Sequence, residues 1–314
     1  MKLIQIEEYQ YTATSMTMSK NEETLVICAG SNVKVFSLPE MELEQTIRVK
    51  NPGCACFLGD NRSMLIMNTT GGLYFWNGEK VRRVGKILGE CYQGKMFYDC
   101  EKDVVVFTTG EEIYRFDVAS LQCRKIYSES ERKMAVISCK DGQILLLGSK
   151  VACDYQNLEL ITIDLEGHIL KQVWTQKKIQ TGIILYCQAM SPEGNIAVAA
   201  TENSCLFHAD PINQLYLVGQ DGSVVGPKRL PGGIMGAYNR ITYAQGCFVL
   251  LNQLTVNFLG LTQIGFYDTK DLSLLYEFKM NEGEINPATD ICFTNNGDVY
   301  VATYMRLYAL RMVP

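Results

Sequence analysis

A polar turn that leads into a short apolar strand recurs along this chain at a constant step. Equivalent positions in the first four copies are Ser19, Gly59, Asp99 and Cys139, which are evenly spaced. Three further copies lie at Ser191, at Ala244–Cys247 and at Thr294–Asp298, which makes seven in all. A constant step of about 40 residues indicates repeated supersecondary units stacked side by side.

The clearest copy spans Ala189–Thr201. Pro192 presets a negative φ and Gly194 tolerates a positive one, so the polar residues around them are typical of a tight turn. Ile196, Val198 and Ala200 then alternate with small residues, as in a strand that is buried on both faces.

A second feature keeps the same step and supplies the rest of each unit. Strands end in Phe36, Trp76 and Phe116, which are spaced as evenly as the turns, and each is followed by a turn and another strand. Units of about 40 to 45 residues with four strands each are typical of β-propeller blades.

With this repeat length and four strands in each unit, the chain resembles the WD40-like and related bacterial seven-bladed β-propellers, with Phe116–Asp117, Ile163–Asp164 and Tyr267–Asp268 where that family ends a repeat in Trp-Asp. The resemblance covers essentially the whole chain and is architectural. It implies an all-β fold, a seven-bladed propeller of four-stranded antiparallel blades.

The two ends of the chain predict how the ring closes. Leu3–Glu7 reads as a strand before the first complete blade, and the last copy, Ala288–Leu310, supplies only three strands. We therefore expect the N-terminal strand to become the outer strand of the last blade, which also covers an exposed edge. The chain is predicted to be one domain, residues 1–314, with blades at about 11–49, 51–87, 94–129, 132–176, 180–229, 236–280 and 288–310 plus 2–8.

Composition narrows the classes of function. The chain is 47% hydrophobic and 20% charged, as in ordinary globular proteins. It has no apolar run of about 20 residues, so no membrane span is expected. A net charge of −5 and a pI near 5.3, with only isolated pairs such as Lys177–Lys178, disfavour nucleic-acid binding.

Cysteine usage and the first residues predict a cytoplasmic protein. None of the twelve cysteines forms a CxxC pair, and Cys28, Cys139, Cys187 and Cys292 fall within predicted strands. The first ten residues carry Glu7 and Glu8 and lack an apolar stretch typical of a signal peptide.

Catalytic and cofactor motifs are missing from the sequence. It contains no GxSxG, HExxH or dinucleotide-binding pattern. His208, Asp210 and Cys205 are metal-ligand types, but His168 is the one other histidine and is expected in a solvated turn. We therefore expect no metal and no cofactor, and we interpret Trp76 and Trp174 as packing residues.

Three consecutive blades carry insertions between their second and third strands: Lys150–Asn157, Glu202–Asn213 and Asn252–Leu261. In antiparallel blades all such connections lie on one face, and insertions confined to one face often mark a binding face. Insertions are also thermodynamically tolerated and can be neutral. Residues predicted to contact a partner are Tyr155, Phe207, His208, Asp210, Val256, Phe258 and Leu259. The apolar residues Val256, Phe258, Leu259 and Leu261 fit an exposed patch or packing over the neighbouring blade equally well.

Two functions remain open at this point. The first is a non-enzymatic scaffold that binds a protein or peptide on the elaborated face. The second is an enzyme or small-ligand binder with its site at the mouth of the central channel. Converging titratable groups in a deep channel pocket favour the second function, whereas an apolar, shallow face with ordered loops favours the first.

Overall fold

A computed structural model describes residues 2–11, 13–88, 95–150, 155–180, 187–201, 213–230, 240–256, 259–280, 288–303 and 305–313. These residues form 30 β-strands and no helix. Consequently, no helix in this part of the chain could cross a membrane.

Twenty-eight of the strands form seven four-stranded antiparallel sheets, the blades. The chain opens with β1 (Lys2–Tyr9). Blade one holds β2 (Ser15–Met18), β3 (Thr24–Ala29), β4 (Asn32–Ser37) and β5 (Leu43–Arg48). Blade two holds β6 (Pro52–Phe57), β7 (Met64–Asn68), β8 (Gly72–Trp76) and β9 (Val81–Lys86). Blade three holds β10 (Met96–Asp99), β11 (Val104–Thr108), β12 (Glu112–Asp117) and β13 (Gln122–Ser128).

Blade four holds β14 (Arg132–Lys140), β15 (Gln143–Lys150), β17 (Glu159–Asp164) and β18 (Ile169–Trp174). Two short strands, β16 (Tyr155–Gln156) and β19 (Ile179–Gln180), pair beside it. Blade five holds β20 (Cys187–Met190), β21 (Ile196–Thr201), β22 (Asn213–Val218) and β23 (Val224–Arg229). Blade six holds β24 (Arg240–Ala244), β25 (Cys247–Val256), β26 (Leu259–Tyr267) and β27 (Leu274–Met280). Blade seven holds β28 (Ala288–Phe293), β29 (Asp298–Thr303) and β30 (Leu307–Val313).

The predicted ring closure is confirmed, because β1 pairs with β30 and completes blade seven in the order β1-β30-β29-β28. Leu3 is 5% exposed and packs among blade-six and blade-seven residues, while its neighbour Ile4 is 52% exposed. An ion pair of 2.6 Å between Arg306 and Glu8 links β1 to the residue that precedes β30.

Hydrophobic packing occurs between consecutive blades. Each of seven buried clusters among the described residues draws its side chains mainly from two neighbouring blades. One of them packs Tyr300 and Leu307 of blade seven against Leu25 and Phe36 of blade one, which closes the ring. Strands buried on both faces explain the nearly continuous apolar runs, such as Val104–Phe107.

The predicted turn in the clearest repeat is also confirmed. It joins β20 to β21, the Ser191 N–H donates to the Asn195 carbonyl over 2.8 Å, and Gly194 has φ +88°. This positive φ is the reason that glycine suits the position.

Candidate functional site

The strand order of the blades defines two faces of the ring. We name the strands of each blade A to D from the channel outwards. Antiparallel order places the A–B and C–D turns on one face, the AB face, and the B–C and inter-blade connections on the other, the BC face. Asn21 and Asp60 lie in A–B turns, as the sequence predicts, whereas the described strands that flank the three insertions are B and C strands, whose connected ends lie at the BC face.

The predicted contact residues are placed only in part. The backbone of Tyr155 lies in β16 and pairs with Gln180 of β19. Val256 ends β25 and pairs with Leu259, the first residue of β26. Phe207, His208, Asp210 and Phe258 lie outside the described residues.

The blade-six insertion differs from the sequence expectation. Asn252–Leu261 was expected as a loop, but Asn252–Val256 extends β25 and Leu259–Leu261 begins β26. Register continues without interruption from Asn252↔Gln263 to Val256↔Leu259. The insertion therefore lengthens a hairpin, which agrees with the strand preference of its Thr and Val residues.

A cavity of about 610 Å³ opens at the BC edge of blade four. Its lining includes Arg132, Lys150, Gln156, Glu159, Trp174 and Lys178. We call this the blade-four cavity. Sequence reasoning identified none of these six as a contact residue, although the insertion that contains Lys150 and Gln156 was assigned to this face.

Strand register brings the central residues of the cavity together. Glu159 pairs with Gly148 on one side and with Trp174 on the other, so all three lie in one row across the sheet. Directly paired residues project from the same side of a sheet. Gly148 contributes no side chain to this row, and a Cβ at that position would stand 2.9 Å from the Met134 Sδ.

Glu159 is a buried carboxylate whose partners lie on the same blade. Its side chain is 1% exposed, pairs with the Arg132 guanidinium and accepts a hydrogen bond from the Gln172 amide. A buried carboxylate needs such partners, because desolvation of an unpaired charge costs several kcal/mol. Arg132 also pairs with Glu129 over 2.9 Å.

Trp174 differs from the sequence interpretation as a packing residue. Its side chain is 46% exposed, and the guanidinium carbon of Arg132 lies 5.1 Å from the ring centroid. Such a cation–π contact contributes about 0.5 to 1 kcal/mol at an exposed site. Trp76, in contrast, is 5% exposed and packs between blades one and two, which confirms the interpretation for that residue.

Gln156 links the two backbone segments that carry Lys150 and Lys178, two of the residues that line the cavity. The Gln156 side chain accepts from the Lys150 N–H over 2.6 Å and donates to the Lys150 carbonyl over 3.0 Å. Gln156 pairs in turn with Ile179, the residue after Lys178. This bridge holds the backbones of the two lysines near each other.

The central channel is the other candidate site. A space of about 430 Å³ is lined by the A strands of several blades, including Met16, Phe97, Ile137, Met190 and Tyr243. Lys95 precedes β10 and spans this space, because its Nζ donates to the carbonyls of Gln188 over 3.0 Å and Ile241 over 3.2 Å. Lys95 and Tyr243 are the titratable side chains in the described part of this lining.

Metal-ligand types do not converge within the described residues, where no group of three or more His, Cys, Asp or Glu side chains could hold an ion. His168 lies in the C–D turn of blade four, is 75% exposed and contacts Asp164 through Nδ1 at 2.9 Å. Its expected place in a solvated turn is therefore confirmed. The hydrogen bond from His168 lowers the pKa of Asp164.

Comparisons with known proteins support the fold. No protein-family model matches the chain, and no curated protein matches its sequence. In contrast, 1292 chains of solved structures match it. One is Kuenenia stuttgartiensis hydrazine synthase, at a TM-score of 0.72 and 13% identity over 99% of this chain and 97% of that chain.

The fold places this chain in a structural class, the seven-bladed β-propellers. Similarity at 13% identity extends to the fold alone. Because one fold hosts many activities, a function has to be argued from the site.

Proposed function

We propose that this protein is a non-enzymatic scaffold that binds a protein or peptide on the BC face of blades four to six. The observation that carries the proposal is Trp174, a half-exposed indole held beside Arg132 at the rim of a cavity on that face. Tryptophan and arginine are among the residues most enriched where protein interfaces gain their affinity.

Two neighbouring features support the same face. The B–C connection of blade four is braced by the β16–β19 pair, and blade six extends its β25–β26 hairpin by several paired residues. Tyr155, Phe207, His208, Asp210, Val256, Phe258 and Leu259 remain the proposed partner contacts. Backbone pairing in β16–β19 and in the extended β25–β26 hairpin restrains these connections before a partner arrives, which lowers the entropic cost of binding.

The channel supports the alternative function less well. Lys95 and Tyr243 are the titratable side chains of its described lining, and the Lys95 ammonium already donates to two carbonyl groups across it. General acid–base chemistry requires titratable groups near the reacting atoms. An enzyme or small-ligand site at the channel mouth is therefore the second candidate.

We place the scaffold in the cytoplasm as part of the same proposal. Cys28 and Cys56 are buried in blade cores, where burial raises the pKa of each thiol to about 12. Cysteines in such positions act as small apolar residues.

Partner capture from the host of origin tests the proposal. The tagged chain is compared with Phe207→Asp and Phe258→Asp on the BC face and with Asn21→Ala and Asp60→Ala on the AB face. We expect the two BC variants to lose specific partners while their melting temperatures stay near that of the parent. Loss of partners only in the AB variants contradicts the assignment of the face. Unfolding of both BC variants identifies Phe207 and Phe258 as core residues.

A further inference from the structure

The blade-four cavity is locally cationic in a chain whose net charge is −5. Three of its described lining residues are cations, Arg132, Lys150 and Lys178, and one is a carboxylate, Glu159. Such a local excess attracts anionic ligands and raises their rate of encounter.

Arg132 is not available to a ligand in the way that the lysines are. Its guanidinium is shared among Glu129, Glu159 and the Trp174 ring. Lys150 and Lys178 are exposed, and no carboxylate of the described residues lies within ion-pair distance of either ammonium group. Among the described residues of the cavity, the two lysines therefore supply the charge that has no carboxylate partner, and Arg132 positions the indole.

The exposed indole supplies a second, apolar element beside that charge. Trp174 pairs with Glu159 in the sheet, so its backbone is fixed, and Arg132 lies over its ring. A flat aromatic surface next to two ammonium groups matches a ligand with carboxylates and apolar groups at short spacing. In an extended peptide, side chains two residues apart lie on the same side, so an acidic residue two positions from an apolar one meets this requirement.

Resting on the proposed scaffold function, we propose that the blade-four cavity binds an acidic segment of a partner protein. Carboxylates of the segment pair with Lys150 and Lys178, and an apolar side chain two residues away packs on the Trp174 indole. The partner is thus recognised by an Asp or Glu that stands two residues from an apolar side chain.

A defined peptide tests this inference on the full chain. The probe is a labelled peptide of two Glu-Glu-Leu-Leu repeats, compared with versions that carry glutamine or lysine in place of glutamate. Anisotropy of the label gives the affinity. Acrylamide quenching gives the location, because Trp174 is exposed and Trp76, the second of the two tryptophans, is buried.

We expect the glutamate peptide to bind and to protect Trp174 from acrylamide. Its affinity should fall as salt is added, because salt screens the attraction between carboxylates and ammonium groups. The double variant Lys150→Gln/Lys178→Gln should lower its affinity about five- to tenfold. The matched control is Lys20→Gln/Lys140→Gln, which removes the same charge from exposed positions at A–B turns and should leave the affinity unchanged.

Several results would overturn the inference. They are absence of binding at millimolar peptide, equal binding of the glutamine peptide, and equal weakening by the control pair. Citrate or inorganic phosphate that protects Trp174 as well as the peptide does would assign the cavity to small anions.

The outcome is separable from that of the proposed function. If Phe207→Asp and Phe258→Asp lose the captured partner but Lys150→Gln/Lys178→Gln keeps it, the acidic-segment inference is wrong and the scaffold function stands. If no BC variant loses the partner, the scaffold function itself is wrong.

Discussion

The backbone N–H of Gly142 donates a 2.7 Å hydrogen bond to the Oδ2 of Asp99, which joins the A–B turn of blade four to that of blade three. Asp99 also accepts from the N–H groups of Glu101 and Lys102 through Oδ1. One side chain thus closes its own turn and ties it to the next blade.

Similar bonds recur around the AB face. The Lys20 N–H donates to Asn61 over 2.9 Å, the Gln245 side chain donates to the Thr294 carbonyl over 2.9 Å, and the Asn295 N–H donates to Glu22 over 2.9 Å. Turns that must reach their neighbours have little freedom in length. This constraint agrees with the occurrence of the insertions between B and C strands.

Replacement of Asp99 tests this role. Asp99→Ala leaves three N–H donors without their acceptor, so we expect the free energy of unfolding to fall by about 1 to 3 kcal/mol. Glu101→Ala, at an exposed position of the same turn, is the control and should change stability by less than about 0.5 kcal/mol. Urea unfolding midpoints measure both, and equal effects would argue against a special contribution of Asp99.

The closing strand can be tested by two adjacent substitutions. Leu3 is buried between blades six and seven, whereas Ile4 is exposed. Leu3→Ala should therefore lower the free energy of unfolding by about 2 to 4 kcal/mol, and Ile4→Ala should change it little. Removal of residues 1–9 should expose the edge of β30 and cause aggregation. A truncated chain that stays monomeric with an unchanged melting temperature would contradict this account of closure.

Gly167 packs its C–D turn directly against the preceding blade. A Cβ at this position would overlap the backbone carbonyl of Ile126, and the residue has φ +90°. Gly246 has a comparable φ of +75° but no atom within 4 Å of its Cβ position, which makes it a matched control. Gly246→Ala should cost about 1 to 2 kcal/mol from backbone strain alone.

Gly167→Ala should cost about 1 to 3 kcal/mol more than Gly246→Ala, because overlap adds to strain. Thermal and urea unfolding measure the difference. Equal costs would show that the blade-three strand moves away to accept the new methyl group.

The cysteines offer a test of redox state. No disulfide joins any of the eight cysteines whose state the structure describes, and Cys100 is exposed. We expect fast alkylation of Cys100 in the native protein and slow reaction of Cys28 and Cys56, whose thiol pKa of about 12 leaves little thiolate at mildly alkaline pH. Intact mass after denaturing alkylation without reductant should show twelve modified thiols, and several unmodified pairs would contradict the cytoplasmic assignment.

The lowered pKa of Asp117 predicts how the stability of the folded protein changes with pH. Hydrogen bonds from the Ser120 backbone N–H and hydroxyl, together with Arg115, lower the pKa of Asp117 below its ordinary value of 3.8. A lowered folded-state pKa contributes stability above the ordinary value, and that stability is lost as the pH falls through the folded-state pKa. Asp117→Asn should therefore be less stable than the parent at neutral pH, and the gap should close as the pH falls below about 3.8. Urea midpoints across this range measure it, and a gap of constant size would contradict the prediction.

Much of the fold follows from the sequence because propeller repeats are local. Each repeat can be recognised within a short stretch of chain, and so can the turn at Ser191–Asn195 and the three-strand last copy. Ring closure could also be predicted, because an orphan strand at one end and a missing strand at the other are satisfied together when the two pair. The placement of the insertions on one face follows from antiparallel order alone.

The blade-four cavity could not be predicted in this way, because its residues meet only through register and long-range contacts. Arg132, Glu159 and Trp174 come from three different strands, and Trp174 by itself is typical of packing. Likewise, Lys95 becomes a brace of the channel only when the blades stand around it. Sequence periodicity determines which strands form and in what order they pair. The tertiary structure decides which side chains meet in a cavity. The partners of a charged side chain depend on the register and the distance between strands, and a local sequence pattern contains neither.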